Sequence, residues 1–264
     1  MNKELEAIVN EFKKLDEVDA VLLAGSKTVG FTDDMSDYDI YIYQNKAIDL
    51  QKRKEIAGNF ATRIEINNNF WENGDEWIID ESNTGVDIMY RGFDWIADQL
   101  ERVAVRNEAN VGYTTCFWYN YMNSQILYDK TGQAKQLQEK YNIEYSDQLQ
   151  KNIIAKNYPI LLDNISSYYQ QIKKALKRED YISINHRIAE FLASYFDIVF
   201  ALNKTLHPGE KKLRRIIEGK LKIIPKDSME IIDKMLKNPN NENILKDIVK
   251  LVESLDECIK NTVK

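Results

Sequence analysis

Cysteine, histidine, proline and glycine are all scarce in this sequence, and each scarcity excludes a class of protein. The two cysteines, Cys116 and Cys258, lie far apart, which excludes a disulfide scaffold and favours a cytoplasmic location. The two histidines, His186 and His207, add too few ligands for a zinc site of the usual kind. Four prolines and ten glycines among 264 residues exclude fibrous and low-complexity proteins.

Long apolar runs and the commonest nucleotide-binding signatures are missing too. No apolar segment approaches the ~18 residues of a membrane span, and the N-terminal MNKELEAIVNEFKK lacks the apolar core of a signal peptide. No Walker A, G-x-G-x-x-G or H-E-x-x-H pattern occurs. We therefore expect no membrane partner, no P-loop and no Rossmann-type nucleotide site.

Charge is abundant but unevenly distributed. Charged residues make up 30% of the chain and hydrophobic residues 44%, as in a globular protein. Residues 1–138 contain 14 Lys and Arg against 24 Asp and Glu, a balance of −10, whereas residues 139–264 have a balance of +4. An acidic first half suits a site for Mg²⁺ and a cationic acceptor better than one for a nucleic-acid backbone.

The most informative stretch runs from Val21 to Tyr43. The apolar run Val21–Ala24 predicts a buried strand, and the glycine turn after it has backbone N–H groups that suit a phosphate. A second strand is predicted over Asp37–Tyr43, where apolar and polar side chains alternate. Alternation places Asp37 and Asp39 on one face, roughly 6–7 Å apart.

Paired carboxylates of this kind suit magnesium. Mg²⁺ prefers oxygen ligands and is commonly held by one or two carboxylates together with substrate phosphates, and paired ions can clamp both oxygens of an in-line displacement. A third carboxylate is predicted at Asp87, inside the strand-like run Thr84–Tyr90. An aspartate within an apolar strand is costly unless it has a partner such as a metal ion.

Four other acids compete with Asp87 for the role of third carboxylate or general base. The predicted strand Thr62–Ile66 carries one, and the loop after it carries the other three: Glu65, Glu72, Asp75 and Glu76. A short strand is predicted to follow this loop, over Trp77–Asp80. Asp87 is preferred because of its apolar surroundings.

Gly25-Ser26, Asp37-x-Asp39 and one aspartate on a later strand together resemble the polymerase-β-type nucleotidyltransferases. Within that superfamily the sequence resembles the small bacterial aminoglycoside and lincosamide nucleotidyltransferases and uncharacterised relatives with a helical C-terminal domain. The resemblance covers roughly the first half of the chain. It implies transfer of a nucleoside monophosphate from an NTP, with ATP as the first candidate, to a hydroxyl group.

The resemblance also implies roles for individual residues. Two Mg²⁺ ions would be held by Asp37, Asp39 and Asp87, and Asp87 would help to deprotonate the acceptor. The triphosphate would be bound by Gly25, Ser26 and Lys27. Lys211, predicted to open a helix after the Pro208-Gly209 turn, is either a further phosphate ligand or a solvated lysine at a helix start.

The remaining pattern predicts the fold. A small mixed sheet flanked by helices would form an α/β catalytic domain over residues 1–140, and an all-α bundle would follow over residues 141–264. The aromatic segment Tyr113–Met122 is either core or a stacking wall for a ring substrate. On the helix around Ile188, the polar stripe of Arg187, Glu190, Ser194 and Asp197 is predicted to line a cleft.

The partners predicted from charge and resemblance are an NTP and a small hydroxyl-bearing acceptor, with nucleic acid less favoured. Two other functions remain open. One is a toxin-like transferase that modifies tRNA or protein, which a continuous basic groove would favour. The other is a sensor that binds an NTP without turnover, against which the three aspartates argue.

Overall fold

The computed structural model describes residues 3–25, 37–70, 72–239 and 243–263. The strands β1 to β6 are Val18–Ala24, Tyr38–Gln44, Arg63–Asn68, Gly74–Ile78, Gly85–Arg91 and Gln125–Asp129. The helices α1 to α11 are Lys3–Phe12, Leu50–Gly58, Phe93–Leu100, Cys116–Asn123, Gln133–Tyr141, Asp147–Asn157, Tyr168–Lys177, Tyr181–Leu202, Leu213–Lys220, Ser228–Lys237 and Ile244–Thr262. None of these described helices combines the length and apolar character that crossing a membrane takes.

The chain forms two compact units. The first, here called the sheet unit, contains Met1–Glu101 and Asn120–Ile143. The second, the helical unit, contains Arg102–Tyr119 and Glu144–Lys264. Contacts thus group residues 102–119 with the later helices, although they lie before residue 140 in the sequence. The division into domains at residue 140 stays a prediction.

The six strands form one mixed sheet in the order β3-β4-β5-β2-β1-β6. Of the five pairs among the described strands, β2 with β5 is parallel and the other four are antiparallel. A parallel pair needs a long connection, and α2 with the β3–β4 hairpin supplies it. The predicted fold class, a mixed sheet with helices followed by a helical region, is confirmed.

One face of the sheet carries the apolar core. Tyr38, Ile40 and Ile42 of β2 pack in the same buried cluster as alternate residues of β5 and the apolar side of α1. In α1 that side consists of Leu5, Ile8, Val9 and Phe12, spaced for one helical face. The alternation predicted for the second strand therefore matches the burial of its apolar side chains, and Asp39 lies on the other face.

The strand before β5 differs from the prediction. The sequence predicts a short strand over residues 77–80, whereas β4 spans Gly74–Ile78. Gly-Asp-Glu is a poor strand former, but its backbone is paired on both sides, with β3 and with β5. Pairing with two neighbours has overridden local propensity here, and it moves Asp75 and Glu76 from a predicted loop into the sheet.

In the helical unit, the polar stripe predicted to line a cleft on α8 is buried at Asp197. Asp197 is only 1% exposed. Its carboxylate accepts hydrogen bonds from the Thr114 amide (3.1 Å) and hydroxyl (2.6 Å), and from Asn157 Nδ2 (3.4 Å). Burial raises the pKa of Asp197 to about 7, which the Thr114 hydrogen bonds partly oppose.

His207 is also fully buried in the helical unit. Its ring packs against Phe200, with the ring centroids 4.6 Å apart, and its Nδ1 accepts a hydrogen bond from the Gly209 amide at 3.0 Å. Burial lowers its pKa to about 4, so the ring is neutral at physiological pH. These contacts agree with a structural histidine.

Candidate active site

Four carboxylates lie side by side across the sheet, on the face opposite the apolar core. Glu65 of β3 is paired with Glu76 of β4, Glu76 with Asp87 of β5, and Asp87 with Asp39 of β2. Residues paired in register point to the same face, and neighbouring strands lie about 4.8 Å apart. We call these four residues the acid row. The structure thus brings Asp39 and Asp87 onto adjacent strands, in the one parallel pair among the described strands.

Asp37 lies one pleat from Asp39 on the same face, and two glycines make room for these carboxylates. Gly25 follows β1 with φ of +72°, and a Cβ built on it would overlap Asp39 Oδ2. A Cβ on Gly85 would overlap Asp37 Oδ1. Asp39 therefore leans toward the β1 side and Asp37 toward the β5 side. At Gly25 both the left-handed conformation and the close approach favour glycine.

The phosphate ligands predicted from the sequence are only partly described. Gly25 lies at the C-terminal end of β1, beside the carboxylate of Asp39. Ser26 and Lys27 fall outside the described residues. Lys211 is an exposed residue of the helical unit, two residues before α9. The phosphate-binding roles of all four stay predictions.

The acids that competed with Asp87 divide into two kinds. Asp75 is completely buried on the core face, where it forms an ion pair with the guanidinium of Arg53. Glu72 forms an ion pair of 2.6 Å with Arg91. Glu65 and Glu76, by contrast, are exposed members of the acid row. The alternation of Thr62–Ile66 is the sequence signal that separates Glu65 from the core. No comparable signal marks Glu76.

Beyond the acid row, the same face of the sheet is covered by the side chain of Arg91. Arg91 is 8% exposed. Asp87, Met89 and Arg91 are alternate residues of β5, so their side chains lie on the same face of the sheet. Its guanidinium is 4.1 Å from the ring centroid of Tyr41 and 5.1 Å from that of Trp95. Burial raises the pKa of the Tyr41 hydroxyl, so it remains protonated. Arg91 and Tyr41 are therefore buried on the same face of the sheet as the carboxylates.

A cavity of about 380 Å³ opens beside the acid row, and we call it the hollow. Its walls include three carboxylates of the acid row, the neighbouring carboxylate of Asp37, one cation and one amide: Glu65, Glu76, Asp87, Asp37, Arg63 and Asn83. A smaller cavity of about 60 Å³ shares Glu76 and Asp87 with it. Small-molecule sites commonly have ~300–1,000 Å³, so the hollow has the size of a site for a small ligand.

The donor set suits a hard divalent cation, although its oxygens do not converge on one point. Among the described residues, no group of three or more His, Cys, Asp or Glu side chains is placed to hold a metal ion. Asp37 and Asp39 lean in opposite directions, as like charges favour. The backbone places Asp39 beside Asp87 on the neighbouring strand, with Asp37 two residues before Asp39. Carboxylate oxygens are the ligands that Mg²⁺ prefers.

Comparison with known proteins gives a partial family match and two structural similarities. A family model described as Domain of unknown function (DUF4037) matches residues 118–213. No curated protein matches this sequence.

The structure is similar to that of a nucleotidyltransferase-like protein from Exiguobacterium sibiricum 255-15, with 7% identity and a TM-score of 0.45 over 97% of this chain and 73% of that chain. It is also similar to the STING-associated CdnE c-di-GMP synthase from Capnocytophaga granulosa, with 12% identity and a TM-score of 0.27 over 97% of this chain and 78% of that chain. At these values neither similarity supports an inference about function.

Proposed function

We propose that the chain is a Mg²⁺-dependent nucleotidyltransferase, which transfers a nucleoside monophosphate from an NTP to a hydroxyl group of a small molecule and releases pyrophosphate. The observation that carries this proposal is the register of β2 and β5. It places Asp39 directly beside Asp87, with Asp37 one pleat away on the same face. A glycine turn with a left-handed residue, Gly25, adjoins them at the end of β1.

Each residue has a role in this proposal. Asp37, Asp39 and Asp87 would hold two Mg²⁺ ions, which when bound offset the charge of the phosphates and of the leaving pyrophosphate. Gly25, with Ser26 and Lys27, would bind the triphosphate, and Lys211 remains a proposed further ligand. ATP is the first NTP to test.

The reaction then needs positioning more than covalent chemistry. The acceptor oxygen forms a bond to the α-phosphorus while the bond from that phosphorus to the β-phosphate oxygen breaks, and the electron pair leaves with pyrophosphate. Asp87 would accept the hydroxyl proton. It is only partly exposed and lines the hollow, so a hydroxyl group bound there can approach it.

Charge supports a small acceptor over a nucleic acid. The first 138 residues have a balance of −10, and a field of that sign repels a polyanion and attracts cations. Aminoglycosides and lincosamides are therefore reasonable first acceptors. Transfer to tRNA or protein, or NTP binding without turnover, would be other outcomes of the same assays.

The test combines catalysis with nucleotide binding. Pyrophosphate release would be measured with each NTP and Mg²⁺, against aminoglycosides, lincosamides, tRNA and no acceptor. Mg²⁺ with NTP should raise the melting temperature, because a ligand that binds only the folded state stabilises it. Asp87→Asn should abolish turnover and shrink that shift.

Glu6→Gln removes the same charge from the exposed side of α1 and should change neither measurement. Unchanged turnover in Asp87→Asn would contradict the assignment and move the search to Glu76. Nucleotide binding with no turnover on any acceptor would support the sensor instead.

A further inference from the structure

The hollow contains charges of both signs on one face of the sheet. Arg63 of β3 is paired with Ile78 of β4, one pleat from the pair of Glu65 and Glu76. On the next strand, Gly85 is paired with Ile78 and contributes no side chain. The carboxylate of Asp37 occupies the position that a Cβ of Gly85 would take. Arg63, Glu65 and Glu76 line the same hollow.

Arg63 and these acids do not neutralise each other. Arg63 is exposed and, within the described part of the chain, forms no ion pair or side-chain hydrogen bond. Glu76 is held in place by the side-chain amide of Asn68, whose Nδ2 donates to Glu76 Oε1 at 3.0 Å. A diagonal pair such as Arg63 and Glu76 has Cα atoms about 7–8 Å apart. A small ligand placed between them can contact both.

Under the proposed function, Asp37 and Asp87 are occupied with metal ions and with the reacting hydroxyl group. The charges left in the hollow are then Glu65, Glu76 and Arg63. A ligand that is purely cationic would bring one positive charge toward Arg63, and a purely anionic ligand would approach two carboxylates, both of which cost energy at such distances. A ligand with both charges avoids either cost.

We propose that the hollow is the acceptor site and that its acceptor is a small hydroxyl-bearing molecule with both a cationic and an anionic group, the anion bound by Arg63 and the cation by Glu65 and Glu76. This inference rests on the proposed function and narrows its acceptor class. The hydroxyl group lies at the Asp87 end of the hollow and forms its bond to the α-phosphorus there. Pyrophosphate leaves with the electron pair, and Asp87 takes the proton.

In this proposal the two ends of the hollow have different roles. Asp87 touches the reacting oxygen, whereas Arg63, two strands away, touches only a group that does not react. Loss of Arg63 should therefore raise KM for the acceptor and leave kcat nearly unchanged, because it removes binding that is equal in the ground state and the transition state. A charge-assisted hydrogen bond contributes enough for a change of about 10- to 100-fold in KM.

The experiment uses the full chain, ATP, Mg²⁺ and three matched sets of hydroxyl compounds. The sets are hydroxy amino acids (serine, threonine, homoserine), amino alcohols (ethanolamine, kanamycin) and hydroxy acids (glycolate, glycerate). Acceptor-dependent pyrophosphate release gives kcat and KM for the wild type, Arg63→Gln and Lys54→Gln. Lys54 is an exposed lysine of α2 outside the hollow, so its substitution is the control for a lost positive charge.

We expect transfer to the hydroxy amino acids, with KM raised at least tenfold by Arg63→Gln and unchanged by Lys54→Gln. Preference for amino alcohols or hydroxy acids, or equal KM in Arg63→Gln and the wild type, would overturn the proposal. So would transfer to none of the three sets. The melting temperature separates this failure from a failure of the proposed function. If Mg²⁺ and ATP raise the melting temperature and Asp87→Asn reduces that rise, the proposed nucleotidyltransferase function is still supported. If they do not raise it, both the proposed function and the acceptor proposal are contradicted.

Discussion

Asp75 in the sheet unit and Asp197 in the helical unit are both buried, but they are held by different chemistry. Asp75 accepts the Nε–H of Arg53 at 2.8 Å and a second, short bond from the same guanidinium. The Tyr90 hydroxyl (2.7 Å) and the Asn67 amide (2.8 Å) complete its contacts. Among the described groups around Asp197, the hydrogen-bond donors are all neutral, from Thr114 and Asn157.

The difference shows what each carboxylate needs in order to be buried. A buried charge is tolerated when an opposite charge and enough hydrogen bonds compensate for lost hydration, and Asp75 has both. Asp197 has hydrogen bonds alone, so burial favours its protonated form and raises its pKa to about 7. The carboxylates of the acid row are a third case, because Glu65 and Glu76 are exposed, Asp39 and Asp87 are partly exposed, and all four lie on the face opposite the apolar core.

Asp39→Asn should produce the largest effect and would separate the acid row from both buried aspartates. The substitution keeps the shape but removes one charge of the proposed metal site. We expect the rate of pyrophosphate release to fall roughly 10³-fold, which is about 4 kcal/mol of transition-state stabilisation. The free energy of unfolding, measured in urea, should change little because the group is not part of the core.

Near-full activity in both Asp39→Asn and Asp37→Asn would show that β2 does not carry the catalytic site. If Asp39→Asn lowered the free energy of unfolding by as many kcal/mol as it removed from transition-state stabilisation, Asp39 would be a structural aspartate. The acid row would then not differ from Asp75 and Asp197.

The sequence predicted which side chains face away from the core better than it predicted which residues become neighbours on adjacent strands. Alternation in β2 and β5 put Asp39 and Asp87 on one face, because every second side chain of a strand points the same way. Their register, which makes them neighbours, depends on a parallel pairing across more than forty residues of intervening chain. No local pattern encodes such a pairing.

The buried aspartates were missed for the same reason. Asp75 and Arg53 are 22 positions apart, and Asp197 and Thr114 are 83 positions apart. Helical spacing correctly grouped Asp197 with other polar residues of α8, but spacing does not tell whether such a stripe meets solvent or a polar partner. The partner here comes from residues 102–119, which contacts group with the helical unit.

Asp75→Asn should have the next largest effect, on stability rather than activity. It leaves the buried Arg53 charge uncompensated, which typically costs about 3–5 kcal/mol. Urea denaturation should show that loss with an unchanged slope. Adding Arg53→Met to Asp75→Asn removes the unpaired charge and keeps an unbranched apolar side chain against Tyr90, so part of the stability should return. If the double variant is less stable than Asp75→Asn, the ion pair is not what holds Asp75.

Asp197→Asn should change the pH dependence of stability. The pKa of Asp197 is about 7 in the folded chain and ~3.9 in an unfolded one. Its folded pKa is raised, so its contribution is present below pH ~4 and is lost as pH rises through 7. A difference of about three pKa units corresponds to at most about 4 kcal/mol.

Unfolding free energies at pH 5 and pH 8 would measure the effect in the wild type and in Asp197→Asn. The stability of the variant relative to the wild type should rise by about 3 kcal/mol between pH 5 and pH 8, because the wild type loses stability over that range and Asn does not titrate. His207, whose pKa is lowered by burial, gives the opposite slope below pH ~6.5, but it is present in both proteins and cancels in their difference. A pH-independent difference would show that Asp197 is ionised in the folded chain.

Tyr90→Phe should give the smallest effect and tests how the contacts of Asp75 are shared. It removes one hydrogen bond of 2.7 Å to the carboxylate and keeps the ring, over which the Arg53 guanidinium lies at 4.0 Å. We expect a loss of about 1.5 kcal/mol, as for a hydrogen bond to a charged group. Combined with Asp75→Asn, the loss should be less than additive, because both changes disturb one network. Strict additivity would mean that the hydroxyl group acts independently of the ion pair, and a loss as large as that of Asp75→Asn would make Tyr90, rather than Arg53, the main partner of the buried carboxylate.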